Sequence, residues 1–572
     1  MRRAAVWLIL IGLLAGCTGG GGDASPPAAV SAPASGEAAA PGSDSAGTGA
    51  GPAESASPSP ASPSPASSLA PAAGWEADEQ PSAVYYEIFV RSFYDSDGDG
   101  IGDLNGVAEK LDYLGELGVG GIWLMPINAS PSYHGYDVTD YYAVHPDYGT
   151  LEDFRHLLEA AHARGIKVIM DFVVNHTSSE HPWFKEALAD PDSPYRSWYT
   201  IRPSAEKTPS DNAASSGSPW HDAGNEKYLG IFWGGMPDLN FDEPAVREEM
   251  IEIGRFWLEQ GVDGFRLDAA KHIYGDFAST VHSEEVAAKN KAWWQEFRKG
   301  LRETNPDAYL VGEIWDSTSM IAPLLDRALD SGFNFDLAGR ILDAAQGERD
   351  PDVAFGLKRV YGAYGKASGG AFTDAVFLAN HDQNRVMSVL GGNADRARMA
   401  AAVLLTLPGN PFLYYGEEIG MLGMKPDEAI REPMLWYEGA EGGPGQTSWQ
   451  TPRYSKPGTV SVEAQERDER SLLRHYRTLI GWRNELPELR DGDIDEYKTG
   501  NPKLGAFIRK TGDSRVLVVH NMSGEPQEAE LAPSGLYGSF QKIERQTGGE
   551  TDAAALDGTT LRLAPYSSVV IR

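Results

Sequence analysis

The sequence predicts an α/β protein: a (β/α)8 TIM barrel with a small domain inserted after strand 3 and a C-terminal antiparallel β-sandwich. Three observations carry that expectation. From about Pro81 onward, eight short apolar runs rich in β-branched and aromatic residues alternate with amphipathic helical patterns. The alternation breaks once, between His176 and Asn240, in a stretch rich in Pro, Ser, Trp and Asp. Beyond residue 485 helical periodicity gives way to short strands separated by turns.

In chain order, Arg2 and Arg3 precede an uncharged 13-residue run, Ala4 to Gly16. That is a secretory signal pattern, too short to span a bilayer as a stable helix. The run ends Leu14-Ala15-Gly16-Cys17, which resembles a bacterial lipoprotein box, in which the cysteine thiol receives a diacylglyceryl group. On that reading residues 1–17 are the signal and lipobox, Cys17 is the lipidation site, and the chain is held outside the cytoplasm on the cell membrane by its lipid. Residues 18–80 follow as a tether of mostly Ala, Ser, Pro and Gly, with too little apolar surface to offset the entropy of folding.

The barrel is expected over residues 81–485, with the insertion at about 177–238. Its strands are predicted at Val84–Val90, Gly121–Met125, Ile166–Val174, Gly264–Leu267, Tyr309–Glu313, Phe333–Leu337, Ala375–Ala379 and Pro411–Tyr415. Helices are predicted between them, among others at Val107–Leu117, Leu151–Arg164, Val246–Gln260, Ala287–Thr304 and Ala394–Leu405, with Ser471–Asn484 closing the barrel. The sandwich occupies 486–572 and opens with Ala506–Lys510, a Gly512-Asp513-Ser514 turn and Arg515–Asn521.

Composition excludes some functions. The 572 residues carry 49 Lys+Arg against 82 Asp+Glu, a net charge of −33, which repels phosphate backbones and argues against nucleic acid as a partner. One cysteine rules out an internal disulfide framework and a multi-cysteine zinc site. A monomer is expected.

In a barrel of this kind, polar residues at strand C-termini carry the chemistry. Strand 3 ends Asp171-Phe-Val-Val-Asn175-His176, strand 4 reads Gly264-Phe-Arg266-Leu-Asp268-Ala-Ala-Lys271-His272, strand 5 ends Gly312-Glu313-Ile-Trp315 and strand 7 ends Asn380-His381-Asp382. Asp268, Glu313 and Asp382 therefore converge on one mouth. Crowded carboxylates raise at least one pKa, leaving an acid beside an ionised partner, the arrangement that glycoside cleavage needs. Asp171 is placed to support Arg266. A second motif, Asp95-Ser-Asp97-Gly-Asp99-Gly-Ile101-Gly-Asp103, offers oxygen donors at alternate positions, including the Ile101 carbonyl, and points to Ca2+. Position 12 is Gly106 and no helix enters, so it is not an EF-hand; an acidic turn without metal is the alternative.

The motifs DFVVNH, MPDLN, GFRLDAAKH, GEIW and ANHDQN, in that order, resemble those of the α-amylase family, glycoside hydrolase family 13. The resemblance implies a retaining hydrolase in which Asp268 is the nucleophile, Glu313 the acid and then the base, and Asp382 the stabiliser that grips the sugar at O2 and O3. Arg266 keeps Asp268 ionised and aimed, His176 and His381 donate to the same sugar, and Tyr136 stacks on it. Asp137 binds sugar or braces its loop. Lys271 and His272 bind on the leaving-group side. Family members carry a similar metal loop after strand 1, and Asn175 with the His272 carbonyl matches a calcium position between barrel and insertion, whose acidic ligands the sequence does not reveal. Ala269, where 1,6-glucosidases carry Val, favours an endo-acting α-1,4-glucan hydrolase on starch or maltooligosaccharides. The alternatives are an α-glucosidase, oligo-1,6-glucosidase or transglycosylase of the family, and a non-catalytic glucan-binding or transporter-accessory surface protein.

Overall fold

The structure, a computed structural model, describes residues 82–439, 442–533, 535, 537–547 and 554–572. The signal run, Cys17 and the tether lie outside the described residues. Among those described, no helix is long and apolar enough to cross a membrane.

Eight parallel strands form one sheet: β1 (Tyr85–Ile88), β2 (Gly121–Leu124), β3 (Lys167–Phe172), β4 (Gly264–Leu267), β5 (Tyr309–Gly312), β6 (Ser331–Gly332), β7 (Ala375–Phe377) and β8 (Asn410–Tyr414). Neighbours follow chain order, β8 returns to pair with β1, and a parallel bridge from Phe333 to Ala375 closes the ring between β6 and β7. Side chains alternate between lumen and helical shell. Inward go Tyr85, Trp123, Ile169, Tyr309, Val311, Phe377 and Phe412, one packed cluster with Phe333. Tyr86, Ile122, Met170, Phe265, Leu310, Val376 and Leu413 join the larger core under the helices. The Tyr85 ring stacks on Phe412 at 4.9 Å, and a Cβ on Gly121 would fall 2.4 Å from that ring, so glycine is what lets Tyr85 cross the lumen. The barrel is a filled plug, and only the residues at its strand C-termini are left for chemistry.

Two predicted elements differ. The Phe333–Leu337 run is not a strand: β6 ends at Gly332, and Phe335–Gly347 is a helix whose first turn is capped by the Asn334 side chain accepting the Leu337 amide. An N-cap asparagine inside a short apolar run marks a helix start that alternation conceals. The helix expected at Val107–Leu117 is two, Leu104–Glu109 and Leu111–Leu117, meeting at Lys110.

The insertion builds a three-stranded antiparallel sheet from Ile201–Pro203, Trp220–Ala223 and Glu226–Leu229, and bridges from His176 to Asp238 and Tyr199 to Leu239 tie it to the end of β3. The C-terminal sandwich pairs a five-stranded with a three-stranded antiparallel sheet over a core that includes Ile508, Leu517, Val519, Leu561, Leu563 and Val569. It is bonded to the barrel through polar groups. Arg509 donates to the Thr406 carbonyl, and His520 bridges Ser568 Oγ (2.7 Å) and Thr406 Oγ1 (3.2 Å), while on the barrel side Arg483 of the closing helix donates to the carbonyls of Leu407 and Gly409.

Candidate active site

Period two in β4 sends Arg266 and Asp268 to the same inward face, and Asp171 sits opposite Arg266 in the β3–β4 register. Arg266, fully buried, is the hub. Its Nη1 donates to Asp171 Oδ1 (2.9 Å) and Asp268 Oδ1 (2.5 Å), and its Nη2 lies 3.0 Å from Glu313 Oε2. One cation thus serves three carboxylates. Burial pushes Asp171 up to about 7 against the pull of Arg266. Burial also raises Asp268 and Glu313, each opposed by Arg266. The two are not equivalent: Asp268 takes the short charge-assisted bond, so the pair's proton belongs on Glu313. Glu313 also accepts the Ala269 amide at 3.1 Å, and Ala269 stands at φ +48°, a turn that swings the chain away directly after Asp268.

Across the mouth, Asp382 is bound by two cations. His381 Nε2 lies 3.1 Å from Oδ2, and Arg431 Nη2 donates to Oδ1 at 2.9 Å. Against the cost of burial, these hold Asp382 well below the usual carboxylate range. His381 is buried and its Nδ1 sits 2.5 Å from Glu87 on β1; although burial favours the neutral ring, Asp382 and Glu87 raise it to about 9. Tyr136 donates to Asp171 Oδ2 at 3.0 Å, stands 2.6 Å from His381 Nε2 and stacks its ring on the imidazole at 5.5 Å. Tyr136 therefore links the Arg266 cluster to the Asp382 cluster.

Around the rim, His176 is buried and kept neutral, lowered to about 4 by burial; its Nδ1 meets Asn175 and its Nε2 has no partner among the described residues. Lys271 Nζ donates to the Trp315 carbonyl (2.8 Å) and pairs with Asp316 (3.2 Å), which props up the Trp315 loop. Trp315 is 52% exposed and stacks on Phe335 at 4.6 Å, nearly parallel. The His272 Nδ1 bonds the Gly275 carbonyl, and its ring meets Phe232 edge-on. Asp137 is buried and accepts from Ser130 and Ser132, so it braces its loop.

The family model described as the α-amylase catalytic domain matches residues 87–492. The chain belongs to the α-amylase family. It is a glycoside hydrolase of that family, and a second family model, the α-amylase SusG C-terminal domain, matches residues 504–570, within the sandwich. The α-amylase-family chain is 46% identical over 500 residues to α-amylase 3 of Dictyoglomus thermophilum, covering 87% of this chain and 95% of the relative. It is 36% identical to a 4-α-glucanotransferase of Thermotoga neapolitana, covering 77% and 95%. Among solved structures, the α-amylase from H. orenii superposes with a TM-score of 0.78 at 44% identity, covering 86% of this chain and 99% of that one.

This α-amylase-family site also holds residues that the motifs leave unmarked. Glu87 could have been found as a carboxylate at an inward position of an otherwise apolar strand. Arg431 lies in a loop beyond β8 with no periodic signal. In the loop after β1, the carboxylates of Asp95, Asp97 and Asp99 gather within 4.8 Å of one another, and Gly98 and Gly100 take the left-handed φ that wraps the chain around Asp95, whose oxygens accept both glycine amides. Asp103 is turned elsewhere: it caps the helix at the Gly106 amide and accepts from Ser96. The Ile101 amide is bonded to Asp99. At the insertion, Asn175 Nδ2 donates to the His272 carbonyl at 2.9 Å, and Asp238 is buried alongside, one bridge position from Asn175. Burial and then the neighbouring Asp276 raise Asp238, while burial pushes Asp276 up to about 7. Among the described residues the Asp238 carboxylate accepts only from the Ile231 amide.

Proposed function

We propose that the chain is an endo-acting α-amylase that cleaves internal α-1,4-glucosidic bonds of starch and maltooligosaccharides with retention of configuration. The observation that carries this reading is the unequal sharing of Arg266 between Asp268 and Glu313. Asp268, ionised, attacks the anomeric carbon to form a covalent glycosyl-enzyme. Glu313, protonated, gives its proton to the departing glycosidic oxygen and then takes one from the incoming water. Asp382, kept anionic by His381 and Arg431, accepts from the sugar hydroxyls and favours the flattened ring of the transition state. His176, through its free Nε2, and Tyr136 hold the same sugar. The Trp315 face, held out by Lys271, receives the leaving-group side of the glucan.

The oxygen-only donors of Asp95, Asp97 and Asp99 suit Ca2+, which when bound would staple the loop after β1. Asn175, Asp238, Asp276 and the His272 carbonyl would hold a second ion between barrel and insertion, and the mutual repulsion of Asp238 and Asp276 is what a cation would relieve. The lipobox at Cys17 supports an enzyme displayed outside the cytoplasm on a lipid anchor.

A time course of products from soluble starch tests the activity. Mixed maltooligosaccharides at early times are expected; glucose alone would overturn endo action. Products longer than a maltooligosaccharide substrate would instead favour glucan transfer, the activity in the name of the Thermotoga relative.

A further inference from the structure

We propose that a groove between the helices Phe335–Gly347 and Val353–Ser368 is a second binding site for α-glucan, with Phe355 as its sugar platform. The groove encloses about 410 Å3, within the range of small-ligand sites (~300–1,000 Å3). Its floor is apolar, made by Leu337, Val353 and Leu357. Its rim is not: Phe355 is 46% exposed, with the Arg359 guanidinium 5.7 Å from the ring centroid, and Arg340 lies opposite. Neither arginine has an ion-pair partner among the described residues. An exposed aromatic face flanked by unpaired planar donors is chemistry that recognises a sugar, whose apolar ring face stacks while its hydroxyls accept. An inorganic anion would use the arginines and leave Phe355 without work.

Continuity with the cleft names the occupant. Phe335, on which Trp315 stacks, sits between Asn334 and Asp336, both lining the groove, and Thr318 reaches it from the Trp315 loop. A glucan long enough to run past Trp315 is delivered to the groove; a short one is not. The proposal rests on the α-glucan reading of the active site.

The test uses Phe355→Ala and Arg359→Ala in the full chain, with unchanged melting temperature as the folding control. Kinetics are measured on soluble starch and on maltotetraose. Mobility retardation in glycogen-containing native gels is measured in the inactive Asp268→Asn background. Each substitution is expected to raise KM for starch about three- to tenfold and to weaken retardation comparably, with kcat/KM on maltotetraose unchanged. Phe355→Trp is expected to keep both at the wild-type level. Unchanged starch kinetics and retardation, or an equal loss on both substrates, would overturn the proposal, as would inorganic phosphate competing away the retardation. Should the wild-type chain leave starch intact, the α-amylase reading fails, while the gel assay still reports on the groove.

Discussion

Replacing Arg266 by Met isolates what one buried cation does for three carboxylates. The side chain is fully buried and contacts Asp171, Asp268 and Glu313 at 2.9, 2.5 and 3.0 Å. Breaking a buried ion pair from one side costs about 3–5 kcal/mol, because the partner charge stays behind without compensation. Here three carboxylates stay behind, and they relieve the strain by taking up protons. The stability loss is therefore expected to stay at about 3–5 kcal/mol at neutral pH and to shrink as pH falls. The chemistry suffers more. Without the guanidinium Asp268 holds its proton more tightly and the nucleophile is depleted, so kcat should fall by at least about 10³-fold, and the acidic limb of the pH–rate profile should move to higher pH. Arg266→Lys keeps the charge but not the fork; it is expected to keep the acidic limb in place while kcat drops about tenfold to a hundredfold. The assays are thermal unfolding across pH and initial rates on maltoheptaose from pH 4 to 9. A Met variant that retained wild-type kcat, or an unmoved acidic limb, would refute the assignment of Arg266 as the group that decides which carboxylate is ionised.

Three further outcomes are expected. Ala269→Val places a β-branched side chain at φ +48° directly after the nucleophile; a cost of about 1–3 kcal/mol should appear as a lower melting temperature together with a lower kcat, and no change in either would show that the turn is relaxed. His520, buried and lowered to about 3 by burial, is neutral in the fold but protonates at about 6.5 when unfolded, so stability should fall between pH 6.5 and 3 by up to about 1.4 kcal/mol per unit, and His520→Gln should flatten that slope in chemical denaturation; His381, raised to about 9, stabilises fully below 6.5 and loses its contribution as pH climbs through 9. Excess chelator should lower the melting temperature and added Ca2+ restore it, since an ion at 100 times its Kd contributes about 2.7 kcal/mol; an unchanged midpoint with metal absent by elemental analysis would remove the calcium reading.

The parts of the molecule legible in the sequence are those where short-range pattern and chemistry coincide. Arg266 and Asp268 share a face because they are two apart on a strand, and Asp171 reaches them through register with the neighbouring strand. The β6 segment was misread because β6 spans only Ser331–Gly332 and the aromatic residues after it pack as the start of a helix. Asp238 and Asp276 went unrecognised as a pair because they come from segments far apart in the chain. Glu87 and Arg431 set the ionisation of the His381–Asp382 pair through contacts 294 and 49 residues away in sequence. Asp103, which spacing alone groups with the metal-type carboxylates, was claimed by a local competitor, the open N-terminus of the following helix.

Arg509 meets the Thr406 carbonyl of the barrel and Arg483, on the closing helix, those of Leu407 and Gly409, with no carboxylate in between, and burial lowers them to about 9 and about 10. Cutting the chain before the sandwich would remove Arg509 and His520, stripping Thr406 of two partners and opening the end of the helix Ala394–Thr406 to water. That helix packs against the one closing the barrel, so the damage would travel to the segment that holds β1 and β8 together. The C-terminal domain is thus a keystone rather than an appendage, and swapping it between relatives should succeed only when Arg509 and His520 are transplanted with it.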